Sequence, residues 1–76
     1  MNEKYLNVFT EIFGITAEEA RTSAYQNIPS WDSVGHMQLI MALEEAFDIM
    51  LDTDDIIDFS SFEKGKEILK KYDVEL

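Results

Sequence analysis

Hydrophobic and polar positions along the chain divide it into helical stretches separated by polar turns. In residues 3–13, Tyr5, Leu6, Phe9, Ile12 and Phe13 recur at three- and four-residue intervals and form one stripe on a helical period. Asn2 is placed to cap this helix. Gly14 is placed to stop it, because glycine enters the left-handed conformation cheaply. Ile15 then folds back as an apolar anchor. The stretch 16–31 loses the period. Its one local signal is Thr16-Ala-Glu-Glu19, a capping box that predicts a single helical turn. Tyr25 and Ile28 are expected to tack this long connection to the core, and Trp31 to pack at its end rather than to stack on a ligand.

Periodicity returns over 33–47, with Asp32 or Ser33 as the cap and Gly35 as the one weak position. Projected on a helix, Leu39, Ile40, Leu43, Ala46 and Phe47 form a core face. Val34, Met37 and Met41 lie nearly opposite, flanked by Gln38, Glu44 and Glu45. Either the 16–31 loop covers Met37 and Met41, or they form an exposed recognition stripe, a use that suits the adaptable methionine side chain.

Residues 48–52 read as a turn. Thr53 is a candidate cap for a short helix over 53–58, with Asp54 and Asp55 at its positive dipole end. Ile56, Ile57 and Phe59 give it an apolar side. Ser60-Ser-Phe-Glu63 reads as a second capping box, opening a helix over 61–72. Phe62, Gly65, Ile68, Leu69 and Tyr72 share its inner face, and Lys64, Lys66, Lys70 and Lys71 the outer one. Asp73 to Leu76 are expected to fray. The predicted fold is all-α: a small antiparallel four-helix bundle of three main helices, one short helix and a long first loop, forming a single domain over 1–76.

Composition narrows the function. A chain of 76 residues buries only about 60% of its unfolded surface, so its core is marginal. The absence of cysteine excludes a disulfide framework and thiolate metal sites, and fits a reducing, cytoplasmic setting. The start, MNEKYLNVF, lacks the basic and apolar regions of a secretory leader. No apolar run approaches the ~20 residues of a membrane span.

Net charge is −10, and no Lys or Arg occurs between Arg21 and Lys64 while nine carboxylates do. Such a surface repels nucleic acid and anionic membranes and speeds encounter with basic partners. Catalysis fares poorly. The lone His36 could meet Ser33 and Asp32 only within one helical turn, with no sign of an oxyanion hole. His36 itself reads as a half-buried rim residue. Asp52-Thr-Asp-Asp55 lacks the glycine and closing glutamate of a calcium loop. Ser33 reads either as a helix cap or, if Asp32 caps, as a hydroxyl left over at a helix end that favours a phosphate.

The run Trp31-Asp32-Ser33-Val34, continuing Gly35-His36-Met37-Gln38-Leu39-Ile40-Met41-Ala42-Leu43-Glu44-Glu45-Ala46-Phe47, resembles the acyl carrier protein family. That family's signature is Asp-Ser-Leu at the start of its second helix, then an apolar-acidic run ending Glu-Glu-x-Phe. The likeness extends to Phe13-Gly14-Ile15, the acidic turn before Asp54-Asp55-Ile56, and the last helix. Val34 stands where the signature has leucine, and Gln38 where many members carry an acid.

The resemblance implies that Ser33 carries 4′-phosphopantetheine, transferred from coenzyme A by a phosphopantetheinyl transferase that Asp32 helps to recognise. It implies a monomeric carrier and not an enzyme, with acyl groups held as thioesters for fatty-acid, polyketide or other specialised acyl transfer. Val34, Met37, Gln38, Met41, Glu44, Glu45 and Ile56 would face acyl-loading and acyl-transfer enzymes with basic docking patches. Ile56 and Phe59 would line an opening for the cargo. A Gly-Gly-x-Ser motif of the peptidyl-carrier type is absent, while a D-alanyl or other aminoacyl carrier remains an alternative. From a different class, the chain could be an acidic interaction module with no prosthetic group.

Overall fold

Glu3–Phe13 forms the first helix, α1, in a computed structural model that describes residues 3–74. Tyr5, Leu6, Phe9 and Phe13 are all buried on its inner stripe. Gly14 ends it at φ +63°. The Asn2 cap expected from the sequence lies outside the described residues. The Thr16–Glu19 capping box forms reciprocally and starts α2, Ala17–Arg21. Two further helices follow, α3 over Ser33–Phe47 and α4 over Thr53–Asp58, and the last, α5, spans Phe62–Lys70. Among the described residues there is no strand, only an isolated bridge between Ala24 and Ser61. No helix among them is long and apolar enough to cross a membrane.

The fold is all-α, and its core is aromatic. Phe9 is fully buried and touches the rings of Tyr5, Trp31 and Phe62 at centroid distances of 5.0, 5.6 and 4.9 Å. Edge-on packing of this kind adds about 0.5–1.5 kcal/mol per pair beyond burial. The Tyr5 hydroxyl donates to the Phe62 carbonyl at 2.6 Å, and burial holds that hydroxyl's pKa far above its ordinary value. Helix α1 packs mainly on α3 and α2, and α2 also meets α5.

Several helix ends differ from the sequence expectation. Asp52, not Thr53, is the cap residue of α4, and its side chain makes no cap bond. Ser61, not Ser60, caps α5: its hydroxyl accepts from the Lys64 N–H, so the cap shifts by one residue and the reciprocal box is lost. Glu63 therefore pairs with Lys66 at 3.1 Å instead of closing a box. Two adjacent serines are available as caps, and the one used is followed at its third position by Lys64 rather than by a glutamate. The last helix is shorter than 61–72. Beyond Lys70 the chain tightens into three-residue turns, Asp73 turns left-handed at φ +64°, and the Val74 N–H returns to the Leu69 carbonyl. Val74 packs on the core, so the fraying expected from Asp73 does not occur there; Glu75 and Leu76 lie outside the described residues.

One buried acid locks the C-terminal half. Asp55, 6% exposed, accepts from Lys71 at 2.6 Å and from the Tyr72 hydroxyl, which in turn accepts from the Asp52 N–H. The Lys71 bond, helped by that of Tyr72, lowers the Asp55 pKa and raises that of Lys71. A depressed carboxylate pKa adds stability above the unfolded value of about 3.9, and that stability is lost as pH falls through the lower folded value. Asp55→Asn should therefore lower the urea midpoint at neutral pH. The gap to wild type should stay constant above about pH 5 and close below about pH 4. A gap independent of pH would mean that the carboxylate charge contributes nothing.

Candidate functional site

The site grows from the join between the long loop and α3. Asp32 adopts an extended conformation and its carboxylate accepts from the Gly35 N–H at 2.8 Å, so Asp32 is the cap. Ser33 becomes the first helical residue. It is exposed, and its hydroxyl is not spent on capping.

Gly35 is no weakness. A Cβ on it would lie 2.0 Å from the Ser30 carbonyl oxygen, so only glycine lets the loop cross this closely over the helix. Ser30 in turn donates its hydroxyl to the Phe13 carbonyl at 2.9 Å, tying the loop end to α1.

Trp31 is fully buried and stacks on Phe13 at 5.1 Å, the packing role expected of it. Its indole N–H donates to His36 Nδ1 at 3.0 Å, and His36 Nε2 lies 2.8 Å from the Ile56 carbonyl. An indole N–H can only donate and a carbonyl can only accept. This pairing fits the tautomer that donates from Nε2 and accepts at Nδ1. Both nitrogens are committed, to Trp31 and to α4, and neither to Ser33 or Asp32. His36 is half-buried, as expected.

An apolar cleft of about 400 Å³ opens beside Ser33, lined by Tyr25, His36 and Met37 on one side and by Ile56, Ile57, Phe59 and Ser60 on the other. Phe59 forms its fully buried floor. Tyr25 is the residue that sequence reasoning misplaced. Instead of tacking the loop into the core it is exposed, and its hydroxyl lies 3.1 Å from Ser33 Oγ. Ile28 does pack on the core, half-buried. A lone aromatic in an aperiodic loop carries no signal in spacing that tells core from site.

The remaining predicted residues fall in different settings. Val34, Met37 and Met41 are 66%, 48% and 62% exposed, so the loop does not cover the stripe. Gln38 and Glu45 are exposed beside it. Glu44 is half-buried, and its carboxylate accepts from the Leu51 N–H at 2.9 Å, which fixes the turn after α3. Asp48 begins that turn in the left-handed conformation at φ +54°. On α4, Ile56 is half-buried with its carbonyl bound by His36, whereas Ile57 is 71% exposed. Of the exposed large apolar side chains, Tyr25, Met37 and Ile57 line the cleft, while Val34 and Met41 continue the α3 stripe. Of the nine carboxylates in the cation-free span, Asp55 is buried and bound to Lys71 and Tyr72.

Chemically, the arrangement offers one exposed hydroxyl at a helix start, a phenol beside it, an apolar cleft and a methionine-rich rim. No protein-family model matches the chain.

Proposed function

We propose that this protein is an acyl carrier whose Ser33 hydroxyl accepts 4′-phosphopantetheine from coenzyme A through a phosphopantetheinyl transferase. One observation carries the reading: Ser33 stands exposed at the first position of α3, with its capping role taken over by Asp32, at the mouth of an apolar cleft.

The residues present suit the group. A helix N-terminus favours a phosphate, through its dipole and its first-turn N–H groups. The Ser33 hydroxyl points to the edge of a cleft wide enough for part of a flexible arm or its cargo. When bound, the arm supplies a thiol that holds an acyl group as a thioester, chemistry that a chain without cysteine otherwise lacks. Asp32 presents the serine by fixing the first turn. Val34, Met37 and Met41, with Ile57 across the cleft, give partner enzymes an apolar rim, and Glu45 and Gln38 edge it. Glu44 and Asp55 act inside the fold instead, holding the α3–α4 turn and the α4–α5 contact. In this reading the helices act as a carrier-type bundle: α1, α3 and α5 as the main helices, α4 as the short one.

Incubation with coenzyme A and a broad-specificity phosphopantetheinyl transferase, followed by intact-mass measurement, should give one adduct on the wild type and none on Ser33→Ala. Absence of the adduct in the wild type sinks the carrier reading and leaves an acidic interaction module. An adduct that survives Ser33→Ala moves the attachment point elsewhere.

A further inference from the structure

Tyr25 is exposed, yet its position is built. Its own N–H donates to the Ser60 carbonyl at 2.9 Å, and the Phe62 N–H donates to the Ser23 carbonyl at 3.0 Å, so the backbone on either side of it is pinned to the α4–α5 junction. The next residue, Gln26, turns left-handed at φ +64° and donates its N–H to the Trp31 carbonyl at 2.8 Å. The ring lies edge-on to His36 at 5.4 Å. These restraints carry the phenol to the exposed Ser33 hydroxyl, which the cap does not use, 3.1 Å from its Oγ.

We propose that Tyr25 is a positioning residue for Ser33: it orients the hydroxyl for phosphopantetheinyl transfer and afterwards hydrogen-bonds the phosphodiester so formed. The proposal rests on the carrier reading above and adds a residue to it. During transfer, Ser33 Oγ forms a bond to phosphorus as the diphosphate of coenzyme A breaks. The nucleoside bisphosphate leaves with the electron pair of the broken bond, and the serine proton passes to a base on the transferase. A phenol that donates to Ser33 Oγ holds the oxygen in place and leaves its proton outward for that base.

The relation then becomes one-way. Before modification either hydroxyl can donate to the other. Afterwards Ser33 Oγ is an ester oxygen without a proton, so only Tyr25 can donate. The anionic phosphoryl oxygens two bonds further on are better acceptors than a neutral hydroxyl, and charge-assisted bonds are about twice as strong as neutral ones. Tyr25 thereby fixes the first link of the arm beside the cleft that its own ring lines.

The test uses Tyr25→Phe, which keeps the ring against His36 and removes only the hydroxyl. With a phosphopantetheinyl transferase and coenzyme A, kcat should fall about 2- to 10-fold, the reach of one hydrogen bond, with KM unchanged because the exposed rim is intact. In the modified proteins, the wild-type 31P resonance should be displaced from its position in denaturant, and Tyr25→Phe should move it back toward that position. An unchanged kcat, a rise in KM alone, or a 31P resonance unmoved by the substitution each overturns the role of Tyr25 while leaving the carrier reading standing. No adduct on the wild type overturns both.

Discussion

Gly35→Ala should destabilise the protein by about 2–3 kcal/mol, the cost of forcing a methyl group into a filled site. Helix propensity alone gives the opposite sign, since alanine in a helix interior is favoured over glycine by about 1 kcal/mol. The structure decides between them. The new Cβ would meet a backbone oxygen, Ser30 O, at 2.0 Å, and the Asp32 carboxylate at 3.3 Å. A backbone carbonyl cannot swing aside as a side chain can, and Ser30 is itself bound to α1. At roughly 0.05–0.15 kcal/mol per residue, a chain of this length has about 4–11 kcal/mol in total, so the loss is a large fraction. Urea unfolding followed by far-UV circular dichroism measures it. A variant as stable as wild type, or more so, would show that the loop end relaxes freely away from α3.

Trp31→Ala should cost still more, about 3–5 kcal/mol, the range for removing a buried large aromatic. Trp31 is fully enclosed and contacts Phe9, Phe13 and Phe59. Its loss opens a cavity where the loop, α1 and α4 meet. Trp31→Phe separates the two parts of this effect. It restores most of the ring but leaves His36 Nδ1 without its donor, for a smaller cost of about 1–2 kcal/mol. Equal costs for the two variants would place the whole contribution in the indole hydrogen bond, and a free Trp31→Phe would place it in the packing.

Much of this fold was legible because its signals are local. The α1 stripe, the Gly14 stop and the Thr16–Glu19 box each depend on residues within two turns of one another, and each formed as the pattern implies. The division of α3 into a core face and a Val34–Met37–Met41 stripe follows from the helical period, and exposure of that stripe matches it.

Other features depend on residues far apart in the chain. Nothing around Asp55 announces that its partners lie 16 and 17 positions later, at Lys71 and Tyr72. Glu44 reads as surface charge until the chain turns back and offers it the Leu51 N–H. Gly35 reads as a flaw in a helix because the Ser30 carbonyl that requires it sits on another segment of backbone. At Asp32 and Ser33 the sequence left two caps open. The choice fell to Asp32, and that choice leaves the serine hydroxyl uncommitted to the cap.

The pairing of Trp31 with His36 gives the molecule an optical property. Trp31 is the chain's only tryptophan, so all indole emission comes from one point, five residues from His36 and two from Ser33. A change that breaks the indole N–H bond to His36 Nδ1 alters the surroundings of the ring and so its emission. The emission of the unlabelled protein is therefore a direct gauge of the joint between the loop, α3 and α4, and any event at Ser33 that disturbs that joint can be followed without a dye.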